Sequence, residues 1–439
     1  MKSNFIYICD MTEEFLHYIW KYKLYNPHLQ LLSGENLVVL HPGIHNSDSG
    51  PDFFNARIKV EETIWAGNIE VHILSSDWSK HLHQNDSTYD NVILHVVYLN
   101  DKPVRRKDGS EIPTLELQGL FQEDTWQNYL HFMQSHQWIP CQSMIHKTNE
   151  FIRNTWLDRL LVERLERKAL EVHEVLGFTQ NDWSKTFYCL LARNMGFKLN
   201  NQAFEMLAQS LPYVYLLKNS DNLFQLEAII FGQSGLLNKN FKDDYPARLK
   251  NEYDFLRKKY QLTPINPEVW KFMRIHPGNF PTIRLAQFAA IIFHSKALID
   301  RLFEILDEPS VRKLFVAEAS EYWENHYRFD QESPPSRKSL GEFSVDLLLI
   351  NLVAPIFAAY GQHKGNTEMI EKAVDLLMLL KPENNTFTRK WAELGFKANN
   401  AASSQSLLEL KTHYCEKKKC LSCTLGNTLL NIPYPDTMN

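Results

Sequence analysis

The chain has no stretch that approaches the ~20 uninterrupted apolar residues of a membrane-spanning helix, so no membrane insertion is expected. It has no basic excess either. Against 52 Asp and Glu stand 47 Lys and Arg, a formal net charge of −5, which excludes a global field drawing the protein onto nucleic acid and leaves only local patches for that purpose. Cysteine is scarce, six residues in 439, and in a chain of this size with cytosolic character a disulfide framework is not expected. There is no clear internal repeat. The glycine-rich Phe231-Gly232-Gln233-Ser234-Gly235 lacks the lysine of a nucleotide-binding loop. The segment Met1 to Met11 carries one positive charge and a short apolar run that stops at Asp10 without a small-residue cleavage site, so it does not fit a signal peptide, and Met11 is an alternative start. A cytoplasmic location is expected.

What is present is a globular composition. The apolar share of 44% with 12% aromatics excludes global disorder, and the length implies two or three domains. Thr12 to Leu24 reads as a helix capped by Thr12, with Glu13 and Glu14 in its first turn. Asn36 to Leu40 is a short apolar run. A polar loop, His41 to Pro51, leads to a strand over Phe53–Val60 and a second over Ile64–Leu74, with Glu61-Glu62-Thr63 as the hairpin turn. Val92–Leu99 is nearly continuously apolar, as a central, doubly covered strand would be, and Ile112–Leu117 is an edge strand. From about Thr125 the pattern becomes helical. Trp156–Leu176 is the clearest case, and further helices are expected through Ile283–Leu306 to Glu368–Leu380. Asn325–Lys338, with Pro334-Pro335, reads as an exposed loop. The expected organisation is an α/β module over residues 1–124, an all-α region over 125–410 and a cysteine-containing tail over 411–439.

Chemistry concentrates in the first module. Asp52 heads one strand, while Glu70 and His72 lie two apart on the next and so share a face, together with Asn68. If the two strands form a hairpin, two carboxylates and an imidazole converge. Such a set suits Mg²⁺ or Mn²⁺, which would activate water and stabilise charge on a phosphate. Pro51-Asp52, an 18-residue step over a hairpin and Glu70-Val71-His72 resemble the PD-(D/E)XK nuclease signature. That resemblance implies a restriction-endonuclease-like module with a mixed sheet and flanking helices, hence an α+β chain with a large all-α region behind it. It also implies metal binding by Asp52 and Glu70, and a further glutamate from the preceding helix, Glu14, with Glu13 as second choice. His72 stands where that pattern has lysine. Lys80 is a candidate to reach in as its replacement. The implied activity is a metal-dependent phosphodiesterase acting on DNA or RNA. The alternatives are a catalytically inactive adaptor for nucleic acid or protein, and a zinc hydrolase built on His72, His81, His83 and His95. The full chain also resembles an uncharacterised bacterial domain-of-unknown-function family, number 2851, through Gly50-Pro51-Asp52-Phe53, Gly67-Asn68-Ile69-Glu70-Val71-His72, Ser76-Asp77-Trp78, the Val92 strand, Asn279-Phe280-Pro281-Thr282-Ile283-Arg284 and the C-terminal cysteines.

His81 and His83 are read as accessory ligands or as solvated surface residues, and His95 as a ligand or, more in keeping with an apolar strand, a hydrogen-bonded core residue. Cys415, Cys420 and Cys423 present a bite suited to zinc or a [4Fe–4S] cluster. Cys141 is the first choice for a fourth ligand, with His413 and Cys9 behind it. Arg274 and Arg284 are candidates for phosphate contact in nucleic-acid binding, or members of a buried turn.

Overall fold

The structure is a computed structural model that describes residues 10–294, 298–305 and 307–434. The chain forms two compact units. The first comprises the residues up to Trp156 together with those from Leu410 onward, and the second runs from Leu157 to Glu409.

In the first unit, helix α1 (Glu13–Lys21) begins where its cap predicts: Thr12 Oγ1 accepts the Phe15 N–H at 3.2 Å. Phe15, Leu16, Ile19 and Trp20 are fully buried, the stripe a surface helix turns to a core. The helix stops before the expected Leu24 because Lys23 takes a left-handed φ of 52°. A seven-stranded mixed sheet follows: β1 (Leu29–Gln30), β2 (Asn36–His41), β3 (Ile44–His45), β4 (Phe53–Val60), β5 (Thr63–Leu74), β6 (Val92–Leu99) and β7 (Thr114–Glu116). The order is β1-β2-β4-β5-β6-β7, with β3 also on β4. β2, β4 and β5 run antiparallel, whereas β5, β6 and β7 are parallel. The β4–β5 hairpin closes at Val60↔Thr63, with Glu61 at φ 49°. The crossover from β5 to β6 carries helix α2 (Asp77–Lys80). β6 is buried from Val92 to Tyr98, as its unbroken apolar run requires, and β7 is the sheet edge.

The expected domain boundaries are corrected in two places. Helix α3 (Glu123–Gln134) belongs with the sheet, because Trp126, edge-on, and Tyr129, tilted, each pack against Phe15 of α1 with ring centroids 4.9 Å apart. The C-terminal segment is part of the first unit too, since Asn128 Nδ2 of α3 donates to the carbonyls of Leu430 at 3.2 Å and Ile432 at 2.8 Å.

The second unit is helical, as the 3.6-residue apolar spacing predicts. The long helix Glu150–Phe178 starts six residues ahead of Trp156. Trp183–Met195, Asn201–Ser210, Leu223–Gln233, Asp244–Tyr260, Pro281–His294 and Thr367–Leu379 are among its other helices. Leu306, the expected end of one helix, lies outside the described residues. Glu342–Lys364 is one 23-residue helical stretch long and apolar enough to cross a membrane, and 72% of its apolar window is buried inside the protein. The expected exposed loop over Asn325–Lys338 instead contains a small hairpin, His326–Arg328 with Gln331–Glu332, turned by Asp330 at φ 61°. Lys338 is buried there, its Nζ donating to the carbonyls of Ser336 at 2.8 Å and Glu324 at 3.1 Å.

Candidate metal centre

β5 supplies the floor of the site. Glu70 and His72 project to one face, and parallel pairing aligns His95 of β6 with Glu70. All three are buried. β4 delivers Asp52 from the position just before its first residue. The Asp52 N–H donates to Glu70 Oε2 at 3.2 Å, and Asp52 Oδ2 accepts the Val71 N–H at 2.9 Å, so the two arms interlock through main chain. Two left-handed residues shape that approach, Gly50 at φ 100° and Asn55 at φ 56°, the latter inside a register shift of β4.

The segment after β5 closes over the same face. Trp78 is buried, with its ring 5.5 Å from that of His95 and 5.4 Å from that of His83. Leu82 takes φ 62° and ψ 27°, an uncommon conformation for a leucine. That turn lets His81 and His83, on either side of it, both face His72. One ring nitrogen from each of His72, His81 and His83 lies within 4.8 Å of the other two. His72 Nε2 is 3.2 Å from His81 Nδ1, and His72 Nδ1 is 2.8 Å from His95 Nε2. Glu70 Oε1 is 3.2 Å from His83 Nε2 and 3.5 Å from His72 Nε2. Tyr89 stacks on His83 at 3.9 Å.

Burial governs the charges. Glu70 is held well above the usual carboxylate range, first by desolvation and then by the charge of Asp52. His72 is pushed down to about 2 by burial and then by the neighbouring rings of His95, His83 and His81, and His95 is pushed down to about 3, again mainly by burial. His83 is lowered by burial as well. These imidazoles are therefore neutral, which is the form that binds a metal. His72 cannot stand in for a lysine as a cation. His83 Nε2 and His17 Nε2 are buried and make no hydrogen bond, although each lies 3.2 Å from a carboxylate oxygen, of Glu70 and Asp52 respectively. Buried polar atoms are normally satisfied, and a cation at the histidine cluster would satisfy His83 Nε2. Imidazole nitrogens with one carboxylate suit Zn²⁺ or Mn²⁺ better than Mg²⁺.

Several expected residues are placed differently. Glu14 is exposed and turned toward Tyr129 and Cys420. Glu13 takes the place expected of it, its carboxyl raised by burial and by Asp52, and His17 one turn later is on the same face. The helical i, i+4 spacing of Glu13 and His17 was the signal that could have found the pair. Lys80 does not reach in: it is exposed and paired with Asp77 at 2.6 Å. His81 and His83 join the site rather than standing as separate surface residues. His95 supports His72 from behind. Of the two readings of Arg284, the position in the fold fits the buried turn. The side chain is buried over the Phe197 ring, 4.3 Å to the centroid, and donates to Asn279 Oδ1 at 2.5 Å, Gln287 Oε1 at 3.0 Å and Ser344 Oγ at 3.0 Å. Arg274 is exposed. Cys141, Cys415, Cys420 and Cys423 all fall in the first unit, and Cys9 lies outside the described residues.

No curated protein and no solved structure matches the chain. A family model described as "Protein of unknown function (DUF2851)" matches residues 13–386, nearly the whole chain, and the chain belongs to that family.

Proposed function

We propose that the protein is a metal-dependent phosphodiesterase acting on DNA or RNA, with its metal held by His72, His81, His83 and Glu70. The observation that carries this reading is the convergence of three imidazoles within 4.8 Å of one another, beside a buried carboxylate oxygen. A bound Zn²⁺ or Mn²⁺ supplies a water of lowered pKa and an electrophile for a phosphoryl oxygen. The remaining steps fall to the chain's own residues. His95 fixes the ring of His72 through Nδ1, as outer partners of metal-bound histidines do. Asp52 and Glu13, at the more open side of the site, are placed to take the proton of an attacking water, and the imidazole of His17 beside Asp52 is placed to pass it to solvent.

The substrate class rests on the order of elements. A helix, three antiparallel strands, a short helix and a parallel strand (α1, β2, β4, β5, α2, β6) follow one another, an order that supports a nuclease-like reading alongside the resemblance of Pro51-Asp52 and Glu70 to the PD-(D/E)XK signature. The departure, His72 for lysine, is coherent with His81 and His83. A buried neutral imidazole loses the lysine's charge, and the site gains nitrogen ligands.

The test is hydrolysis of single- and double-stranded DNA, RNA and a chromogenic phosphodiester with Mn²⁺ or Zn²⁺. Cleavage is expected, lost in Glu70→Gln and His81→Ala. A protein that binds the metal at these residues yet cleaves none of these substrates overturns the catalytic reading and leaves the binding adaptor.

A further inference from the structure

Four free cysteines from two distant stretches belong to the first unit. Cys141 follows Ile139-Pro140 in a buried turn, where the Met144 N–H donates to its carbonyl at 3.0 Å. The other three lie where the chain returns. A π turn over Leu410–Cys415 ends the preceding helix, Lys418 takes φ 49°, and the Lys418 and Lys419 N–H groups bond back to the Cys415 and Tyr414 carbonyls at 3.1 and 2.9 Å. Cys420 and Cys423 flank a single 3₁₀ turn, and Cys423 opens the helix Thr424–Leu430. Gly426 lies flat on this turn: a Cβ there would stand 2.3 Å from the Cys420 carbonyl oxygen. The returning chain is seated on the stretch that carries Cys141, with Tyr414 edge-on to Trp156 at 5.3 Å, Lys411 Nζ 5.4 Å from the Trp138 ring centroid, and Lys418 Nζ donating to the Met133 carbonyl.

The thiols are within electrostatic reach of one another. Burial pushes the Cys415 thiol well up, and the charges of Cys141, Cys423 and Cys420 push it further. Cys141 is raised by burial, then by Cys423 and Cys420. Cys420 is pushed up to about 12 by burial and then by Cys423. Lys411 works against this at Cys415 and Lys418 at Cys420, two cations beside the place where thiolate charge would gather. Three buried cysteines and the half-buried Cys415, with a Cys-x-x-Cys bite and flanking lysines on a segment packed against the stretch that carries Cys141, have the donor set of a thiolate-ligated metal centre.

We propose that Cys141, Cys415, Cys420 and Cys423 together bind one such centre, a zinc ion or an iron–sulfur cluster, which fastens the C-terminal segment to the back of helix α1. Binding replaces four S–H bonds by four sulfur–metal bonds and releases the thiol protons. The mechanical consequence is visible in the packing. Asn431 Nδ2 donates to Tyr18 Oη at 2.8 Å, Tyr129 Oη of α3 lies 3.0 Å from Thr12 Oγ1, and Glu14 lies toward Cys420. These contacts hold α1 through residues off the stripe that presents Glu13 and His17. The centre is a structural clamp, and its existence does not depend on the phosphodiesterase reading.

Metal and sulfide analysis of the full-length protein, purified both aerobically and anaerobically, tests this. About one zinc, or about four irons with matching sulfide and a broad visible charge-transfer absorption, is expected per chain. That metal stays in a His81→Ala/His83→Ala variant and in Cys189→Ser, and is lost in Cys420→Ser and Cys423→Ser. For variants that fail to fold, the unmodified protein gives the answer: loading with Co²⁺ or reconstitution with iron and sulfide produces a thiolate-to-metal charge-transfer band. Removing the metal then speeds amide hydrogen exchange in both 410–430 and 13–21. A protein that comes without zinc or iron, and gives neither band on loading, overturns the proposal. So does metal that survives both cysteine substitutions, or exchange in 410–430 that ignores metal removal.

Discussion

Substitution of His81 by alanine separates a metal site from a chance gathering of histidines. His81 is exposed, so its removal leaves the core intact, and only an interaction across the site is lost. His95 sets the scale. It is fully buried, its Nε2 meets His72 Nδ1 at 2.8 Å, and its own Nδ1 has no partner, so its contribution to metal binding passes through His72 alone. Loss of such an outer partner costs roughly 10- to 100-fold in metal affinity, about 1.4 to 2.8 kcal/mol. A direct ligand must be worth more than its support. His81→Ala is therefore expected to weaken Zn²⁺ or Mn²⁺ binding by more than about 100-fold, and His95→Phe by an amount within that lower range. Competition against a chelator of known affinity reads both, with the thermal midpoint of each metal-free variant as the folding control. His81→Ala is expected to keep the midpoint of the unsubstituted protein while losing the metal-induced rise. Unchanged affinity in His81→Ala, or a smaller loss there than in His95→Phe, refutes the assignment of His81 as a ligand.

Four further outcomes follow from the same geometry. Glu70 is held protonated by burial and Asp52, so metal must displace a proton from it; affinity should rise with pH, and calorimetry in buffers of different ionisation enthalpy should register the release. Glu227, fully buried beneath Tyr245 and Ser320, has its carboxyl raised from 4.5 to about 7 by desolvation. Its folded-state pKa lies above the unfolded one, so its contribution is complete below pH 4.5 and is lost as pH rises to about 7, a span worth ~3 kcal/mol; urea unfolding of Glu227→Gln should lack that decline. Gly67→Ala would place a Cβ 2.4 Å from Ile93 Cγ2 and 2.7 Å from the Asn91 carbonyl oxygen, and should lower stability by about 1–3 kcal/mol in chemical denaturation. Arg284→Ala should destabilise the second unit by a similar ~1–3 kcal/mol, through the buried acceptors it leaves without a donor, while nucleic-acid binding measured by fluorescence anisotropy stays unchanged.

The strands that shape the site were legible because their signals are local. Phe53–Val60 and Val92–Leu99 have the bounds their sequence periodicity predicts, and Glu70 with His72 share a face because two residues on a strand must. The neighbours that complete the site were less legible because they depend on events between elements. Glu13 and Glu14 both suit the first turn of a helix, and only the direction in which Phe15 and Ile19 are buried decides which of them faces Asp52. For Arg284 the sequence leaves a phosphate contact and a buried turn both open, and the ring of Phe197 and the hydroxyl of Ser344 that surround it come from other segments. The C-terminal stretch reads as a tail because its partner, α3, precedes it by 302 residues at the Asn128–Leu430 contact.

The buried histidine at position 72 and the left-handed leucine at 82 are physically linked. A cationic side chain buried as His72 is would need a compensating charge, yet Glu70 beside it is itself held protonated in the metal-free site. A neutral imidazole avoids that cost but brings a nitrogen lone pair that needs a partner. His81 and His83 bring further ring nitrogens to the same point, where His72 and His81 share one hydrogen bond at 3.2 Å. The chain holds them there through a backbone conformation at Leu82 whose strain costs of order 1–3 kcal/mol. Replacing Leu82 by glycine removes that strain without removing any ring. Leu82→Gly should therefore leave metal-free stability the same or up to about 1 kcal/mol higher, while metal affinity falls as the turn loosens. If instead both stability and metal affinity rise, the left-handed turn is incidental, and the convergence of the three rings needs another cause.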